Sequence, residues 1–394
     1  MLRLGSFVRG DTFRATVIRF IAIGLGVLAS VLMARLGGAE TKGSFSSIVA
    51  AGNLLFAVIN CELASEVVRH GKKSGSQERS AYWMAPYWVA YCVSGAVLFV
   101  LLHPLLPFLA YVVAAACAIT VLNQAGVIMN GRYGPMRFAV LVLVQQASVL
   151  LITIVLGLLG GLNEGTTVII VVGSMLTGVA LSIPTLFRVG ESSQVARPKA
   201  YKSILRGAHW VPNRVSQMAL SRADLLVVYL IVGPAGAGIY SVGISFNILI
   251  EIAPSQYSWR AQYLAANGMA HSVPRMVRKA LFLGLVCAGL VGLVGYPLIV
   301  LMYGREFEPS YPVLLASLVG AAALPPYQTF CNSIRITGSH RIPTATGALG
   351  VAVMLACIVP LTSLFGLVGA AVASSLGCFC ALASMAVAYR IYIR

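Results

Sequence analysis

Charge is what this sequence has least of. Only 10% of its 394 residues are Asp, Glu, Lys or Arg, against about 25% in a typical soluble domain. With 59% of the residues hydrophobic, no soluble core could hide the apolar surface, and a water-soluble globular enzyme is excluded. Acidic side chains are the scarcer sign, 11 against 28 basic ones, for a net charge of +17. The Lys and Arg residues sit in short clusters between apolar stretches and form no continuous basic face, so nucleic acid is not the expected partner. Histidines number five, and the eight cysteines (Cys61, Cys92, Cys117, Cys287, Cys331, Cys357, Cys378 and Cys380) all fall inside apolar stretches without metal-ligand spacing. We read them as small lipid- or core-facing residues and expect no metal and no cofactor. Catalytic signatures are missing too: there is no phosphate-binding loop, nucleophile elbow or His-Glu-x-x-His site, which excludes ATP hydrolysis by this chain alone. Gly24-Leu25-Gly26-Val27-Leu28-Ala29 formally matches a dinucleotide fingerprint, but it lies in an apolar run with no preceding strand and is read as helix packing.

Long apolar runs are what is there. A membrane-crossing helix needs about 20 apolar residues, and such runs predict helices at 14–35, 44–67, 82–102, 105–129, 137–159, 166–187, 207–232, 237–258, 279–302, 311–335, 343–363 and 367–390. The basic N-terminus leads into an apolar run without a small-residue cleavage site, so a retained helix is expected. Loop charges test the count of twelve. On one side lie Arg3, Arg9, Arg69, Lys72, Lys73, Arg79, Arg132, Arg188, Arg197, Lys199, Lys202, Arg260, Arg275, Arg278, Arg341 and Arg394; opposite them are only Arg35, Lys42 and Arg305. The positive-inside rule then puts both termini in the cytoplasm of a multi-pass protein of the bacterial inner membrane.

The most polar stretch, Ser192 to Lys202, divides the spans six and six. We therefore expect an N-terminal six-helix lobe at 1–191, a cytoplasmic linker at 192–203 and a C-terminal six-helix lobe at 204–394. Leu36-Gly37-Gly38-Ala39-Glu40-Thr41-Lys42-Gly43-Ser44-Phe45-Ser46 aligns with Ile231-Val232-Gly233-Pro234-Ala235-Gly236-Ala237-Gly238-Ile239-Tyr240-Ser241, and Gly131 to Pro135 echoes Gly338 to Pro343. Two halves that start and end on the same side form a parallel repeat, related by a pseudo-two-fold axis along the membrane normal.

Charge inside a bilayer costs roughly 2.5–3.5 kcal/mol per residue on insertion scales and faces a cavity or a partner. The intramembrane candidates are Arg19, Glu62, Glu66, Arg214, Arg222, Asp224 and Glu251, and the repeat places Arg19 over Arg214. In the seventh span, Arg206, Trp210, Arg214, Met218 and Arg222 recur every four residues, which stacks them on one helix face as a cationic track. Guanidinium groups suit phosphate because their planar fork binds two oxygens and stays protonated. Asp224, two residues from Arg222, points elsewhere and is a candidate, with Glu251 and Glu62, for a coupling ion or a gate. The competing reading is structural pairing of Arg19 with Glu62 and of Arg214 with Glu251. Gln328, Asn332 and Arg335 share one face after the Pro325-Pro326 pair, which should kink their helix. They are either substrate contacts or interhelical hydrogen bonds.

At the glycine turns the sequence resembles the polysaccharide flippase (Wzx-like) family of the multidrug/oligosaccharidyl-lipid/polysaccharide exporter (MOP) superfamily. The resemblance is carried by Arg35-Leu36-Gly37-Gly38 through Ser46, by Ser221-Arg222-Ala223-Asp224 with Gly233 to Ser241, by Tyr303-Gly304-Arg305-Glu306-Phe307, and by Phe365-Gly366-Leu367-Val368-Gly369-Ala370-Ala371-Val372-Ala373. It implies a two-lobed transporter that flips an undecaprenyl-diphosphate-linked oligosaccharide to the outer leaflet by alternating access. Its partners would be that substrate, membrane lipid and other glycan assembly proteins. The chain departs from the family in the acidity of its second, seventh and eighth spans.

Two other readings stand against this one. A cation-coupled multidrug antiporter of the same superfamily would be dominated by acidic cavity residues, which Asp224 and Glu251 favour and Arg214 and Arg222 oppose. A membrane-embedded glycan polymerase or acyltransferase would carry a sizeable external loop, and every outward connection here is short.

Overall fold

The computed structural model describes residues 2–60, 63–64, 80–186, 208–266, 269–337 and 340–393. The expected linker at 192–203 lies outside the described residues, as do Glu62 and Glu66. The elements are helices throughout: α1 (Leu2–Ile59), α2 (Ser80–Leu102), α3 (Pro107–Tyr133), α4 (Pro135–Leu158), α5 (Glu164–Leu186), α6 (Val211–Val232), α7 (Pro234–Ser245), α8 (Asn247–Ala266), α9 (Val273–Tyr303), α10 (Ser310–Thr337) and α11 (Arg341–Ile393), with two short 3-10 turns. Eight helices among the described residues are long and apolar enough to cross a membrane; α7 with the start of α8 forms a ninth, bent by 40°. This is a multi-pass, all-α membrane protein.

Two helices are far too long for one crossing. At 1.5 Å per residue a helix of the length of α1 would reach about 90 Å, against roughly 30 Å of hydrocarbon. Each is broken by one glycine, Gly38 in α1 (φ 73°, ψ −177°) and Gly366 in α11 (φ 59°, ψ −141°). Gly233, which the repeat aligns with Gly38, has the same backbone (φ 87°, ψ 178°) between α6 and α7. This region of φ/ψ is open almost only to glycine, so one residue makes the whole turn. The sequence reading needs correction here: it put Lys42 in a loop between helices, but the chain is helical again directly after Gly38, and Lys42 lies within the second arm of α1, buried.

By contacts the chain divides into unit 1 (Met1–Thr41 and Ala51–Val211) and unit 2 (Lys42–Ala50 and Pro212–Arg394). Unit 1 is organised on α3, whose apolar window is 67% buried against 11% for α2; α2, α4 and α5 pack on it. Its core joins Trp83, Met84, Trp88, Val121, Ala125, Ile128 and Leu141. In unit 2 the central helix is α10, 78% buried, with α8, α9 and α11 around it. Large side chains such as Leu158, Leu230 and Leu293 remain more than three-quarters exposed, as expected where the outer solvent is lipid.

Because lipid tails are as apolar as leucine, packing inside a membrane depends on close approach of small residues and on interhelical hydrogen bonds. Unit 2 uses both. The Gly320 amide donates to Ser375 Oγ at 3.2 Å, and that hydroxyl donates to the Ala316 carbonyl at 2.8 Å, joining α10 to α11. A Cβ on Gly350 would come within 2.7 Å of the Gly377 carbonyl.

Candidate functional site

The α6 helix positions most of the expected site residues, and its sequence sets which way each one points. Asn213, Ser216, Leu220, Asp224 and Val228, spaced by three and four, form the face buried in unit 2. A hundred degrees per residue then puts Arg222 on the opposite side, and it is exposed. Arg214 and Met218 are half-buried on the flank between, while Arg206 lies outside the described residues.

Asp224 is 4% exposed. Its Oδ2 accepts the Tyr240 hydroxyl of α7 at 2.7 Å and its Oδ1 accepts the Leu225 amide at 2.8 Å. Charged acceptors make the stronger hydrogen bonds, and the low dielectric strengthens them further. Tyr240 was not singled out by the sequence reading. The signal was available: the repeat sets it opposite Phe45, and a buried tyrosine needs a partner for its hydroxyl.

Glu251, half-buried on α8, and Lys42 are both in electrostatic reach of Arg222. The structure thus brings together three groups that the sequence reading held apart, one of them placed in a loop. Lys42 is 5% exposed, and its ammonium stands 5.7 Å from the centre of the Phe45 ring. In unit 1, Arg19 is half-buried and its guanidinium lies 4.9 Å over the ring of Phe138 on α4. That ring reaches into the space left by Gly126, where a Cβ would stand 2.6 Å from it.

On α10, Asn332 Nδ2 donates to Ser258 Oγ of α8 at 2.9 Å. A second such pair, Ser317 Oγ donating to Asn247 Oδ1 at 3.1 Å, joins the same two helices nearer their other ends. Gln328 is half-buried; for Arg335 only the helical backbone is described. Among the described residues no three His, Cys, Asp or Glu side chains gather as a metal site.

No family model matches the chain, and no curated protein matches it in sequence. Solved structures do match over nearly its whole length. A lipid II flippase MurJ in an inward closed conformation superposes with a TM-score of 0.73 at 15% identity, over 95% of this chain and 87% of that one. An inward-facing multidrug resistance MATE family transporter of the MOP superfamily gives 0.74 at 14%, over 96% and 98%. The chain has the MOP-superfamily transporter fold. A Vibrio cholerae MATE transporter, VcmN in its bent form, agrees at 0.61 and 16% identity, over 97% of each chain. That fold accommodates a flippase and multidrug transporters alike.

Proposed function

We propose that this chain is a flippase for an anionic, lipid-linked oligosaccharide, carried from the cytoplasmic to the outer leaflet by alternating access. In this reading twelve crossings form two six-helix lobes, 1–191 and 204–394, in the bacterial inner membrane with both termini cytoplasmic. Arg19, Arg214 and Arg222 receive the diphosphate, and Gln328, Asn332 and Arg335 serve the sugar. Asp224, Glu251 and Glu62 serve coupling or gating. The observation that carries the reading is Arg222: a guanidinium in the middle of an apolar helix, exposed, on the face turned away from the packed core of unit 2. A cation at that depth is retained where an anion replaces its water.

The energetics fit. Moving a diphosphate and its sugars through lipid unaided would strip every polar group of its hydrogen bonds. A wet, cationic path supplies substitutes while the polyprenyl tail stays in the bilayer. With the cell interior negative, each negative charge moved outward gains about 2.3 kcal/mol per 100 mV, so ATP is not required. The MurJ similarity supports a lipid-linked cargo, and other glycan assembly proteins are natural neighbours.

The test is complementation of a flippase-deficient strain. Arg222→Ala should abolish glycan export while the protein stays at normal level in the membrane; full export by Arg19→Ala, Arg214→Ala and Arg222→Ala would refute the reading. The multidrug antiporter remains the second reading because two carboxylates, Asp224 and Glu251, lie in unit 2 and MATE transporters share the fold. It requires that Asp224→Asn and Glu251→Gln abolish drug resistance conferred by the chain, with no effect of the arginine substitutions.

A further inference from the structure

Lys42 is held in place by its neighbour. A side chain at Gly43 would collide with the Pro234 carbonyl and stand 2.7 Å from the Gly238 amide nitrogen, so backbone meets backbone between the second arm of α1 and α7. Gly43 and Gly238 are the residues that the internal repeat aligns. Residues 42–50 accordingly pack as part of unit 2. Beside the apolar Ile48 and Ala50, this segment buries polar side chains: Lys42 is 5% exposed, Ser44 1% and Ser47 0%. The Ser47 hydroxyl oxygen has no hydrogen-bond partner. A permanent joint between membrane helices has no need of a lysine and a spare hydroxyl, and polar side chains at that depth mark where a polar group belongs.

The charges lead to the same place. An ammonium withdrawn from water loses its hydration, and the face of Phe45 compensates only in part. The charged group that acts on Lys42 is Arg222, a second cation. A carboxylate within reach of Arg222 is Glu251. Among the described residues, the charged group acting on Lys42 is thus a cation, and an anion entering there would find two cations beside it.

We propose that Lys42 and Arg222 together hold the phosphate moiety of the cargo, with Lys42 a cargo ligand and Glu251 the counter-ion that keeps Arg222 in place when the site is empty. This rests on the flippase reading and deepens it. A diphosphate offers oxygens on two phosphorus centres. The planar guanidinium grips one pair of oxygens, and the compact ammonium serves as a point charge for the rest. A phospholipid headgroup has the same chemistry, so the test must separate the two sources.

The full-length protein is placed in nanodiscs of neutral phosphatidylcholine and titrated with undecaprenyl diphosphate, binding being read by native mass spectrometry. Lys42→Met should weaken binding at least tenfold and Lys42→Arg less than threefold, with thermal unfolding of both variants as the control for folding. Should Lys42→Met lower the unfolding temperature markedly, Lys42→Gln replaces it under the same criterion. Exchange of a fifth of the lipid for phosphatidylglycerol should change binding less than twofold; a tenfold loss would assign the site to a lipid headgroup and overturn the proposal. Equal binding by Lys42→Met and wild type, with binding lost in Arg222→Ala, overturns the role of Lys42 and leaves the flippase reading standing. Failure of the wild type to bind the diphosphate removes both.

Discussion

Units 1 and 2 are built on one plan and differ in what they do with polarity. Each wraps its helices around one buried helix, α3 in unit 1 and α10 in unit 2. Among the described residues, unit 1 holds a chain of neutral polar contacts. Trp88 Nε1 donates to Gln124 Oε1 at 3.1 Å, Gln124 Nε2 donates to Asn60 Oδ1 at 3.1 Å, and the Tyr91 hydroxyl caps the Ile59 carbonyl at 3.0 Å where the second arm of α1 ends. Arg19 rests on an aromatic ring. Unit 2 buries charge instead: Asp224 under Tyr240, and Lys42 in reach of Arg222, which is itself in reach of Glu251. Neutral hydrogen bonds satisfy a buried backbone or amide without a net charge to compensate, whereas a buried ion needs a counter-ion or a ligand. On the flippase reading, the proposed cargo contacts therefore lie mostly in unit 2, with Arg19 the one in unit 1.

The sharpest way to break the comparison is at the glycine that brings Lys42 into unit 2. Gly43→Ala puts a methyl group against the Pro234 carbonyl, backbone that cannot rotate aside. Overpacking costs about 1–3 kcal/mol where side chains can shift, so we expect about 3 kcal/mol or more here, read as the shift in the unfolding midpoint of the purified protein in mixed detergent. Gly126→Ala in unit 1 meets only the rim of Phe138, 2.6 Å away, and that ring can move; its cost should be the smaller of the two. Equal costs would mean that residues 42–50 are not seated on α7 as tightly as drawn.

Much of this was legible in the sequence, because hydrophobic run length and glycine placement are local. Most spans overlap a helix, although the one expected at 237–258 is split between α7 and α8, and the alignment of Gly38 with Gly233 matched two turns that share one backbone conformation. Periodicity also separated Asp224 from Arg222 correctly, since a helix fixes the angle between residues two apart. Lys42 was misplaced because a charge next to two glycines reads as loop, and nothing local says that a single glycine completes the turn. The partners of Asp224 and Asn332, which are Tyr240 and Ser258, were not legible because they come from other helices, and one sequence carries no record of which faces meet.

A finer test sets a charged bond against a neutral one. Tyr240→Phe removes the hydroxyl that Asp224 accepts and leaves a carboxylate that is 4% exposed short of a donor. Hydrogen bonds to charged groups are worth about 1.5–3 kcal/mol, and that is the expected loss of stability. Trp88→Phe removes the neutral bond to Gln124 and should cost about 1 kcal/mol on that account, before any loss of packing. Replacing Asp224 and Tyr240 together by Asn and Phe should recover part of the single-variant loss, because the ion goes with its partner. Strict additivity in that double-mutant cycle would show that the pair is not coupled.

The smallest effects should lie in the first arm of α1, where two glycines two residues apart respond differently. A Cβ on Gly24 meets nothing within 4 Å, while one on Gly26 would stand 2.7 Å from Gln146 Oε1. Alanine exceeds glycine in helix propensity by up to about 1 kcal/mol, and no contact at Gly24 opposes that gain, so Gly24→Ala should stabilise the protein by a few tenths to about 1 kcal/mol. At Gly26 the same gain is opposed by the displaced amide, which sits at the far end of a flexible side chain and can turn aside at a cost of order 1 kcal/mol. Gly26→Ala should therefore be neutral to slightly destabilising, and a reversal of that order in the unfolding midpoints would place the close contact of α4 on the other glycine. Since neither substitution touches a charged group, both should leave glycan export unchanged, as expected if the charged groups handle the cargo.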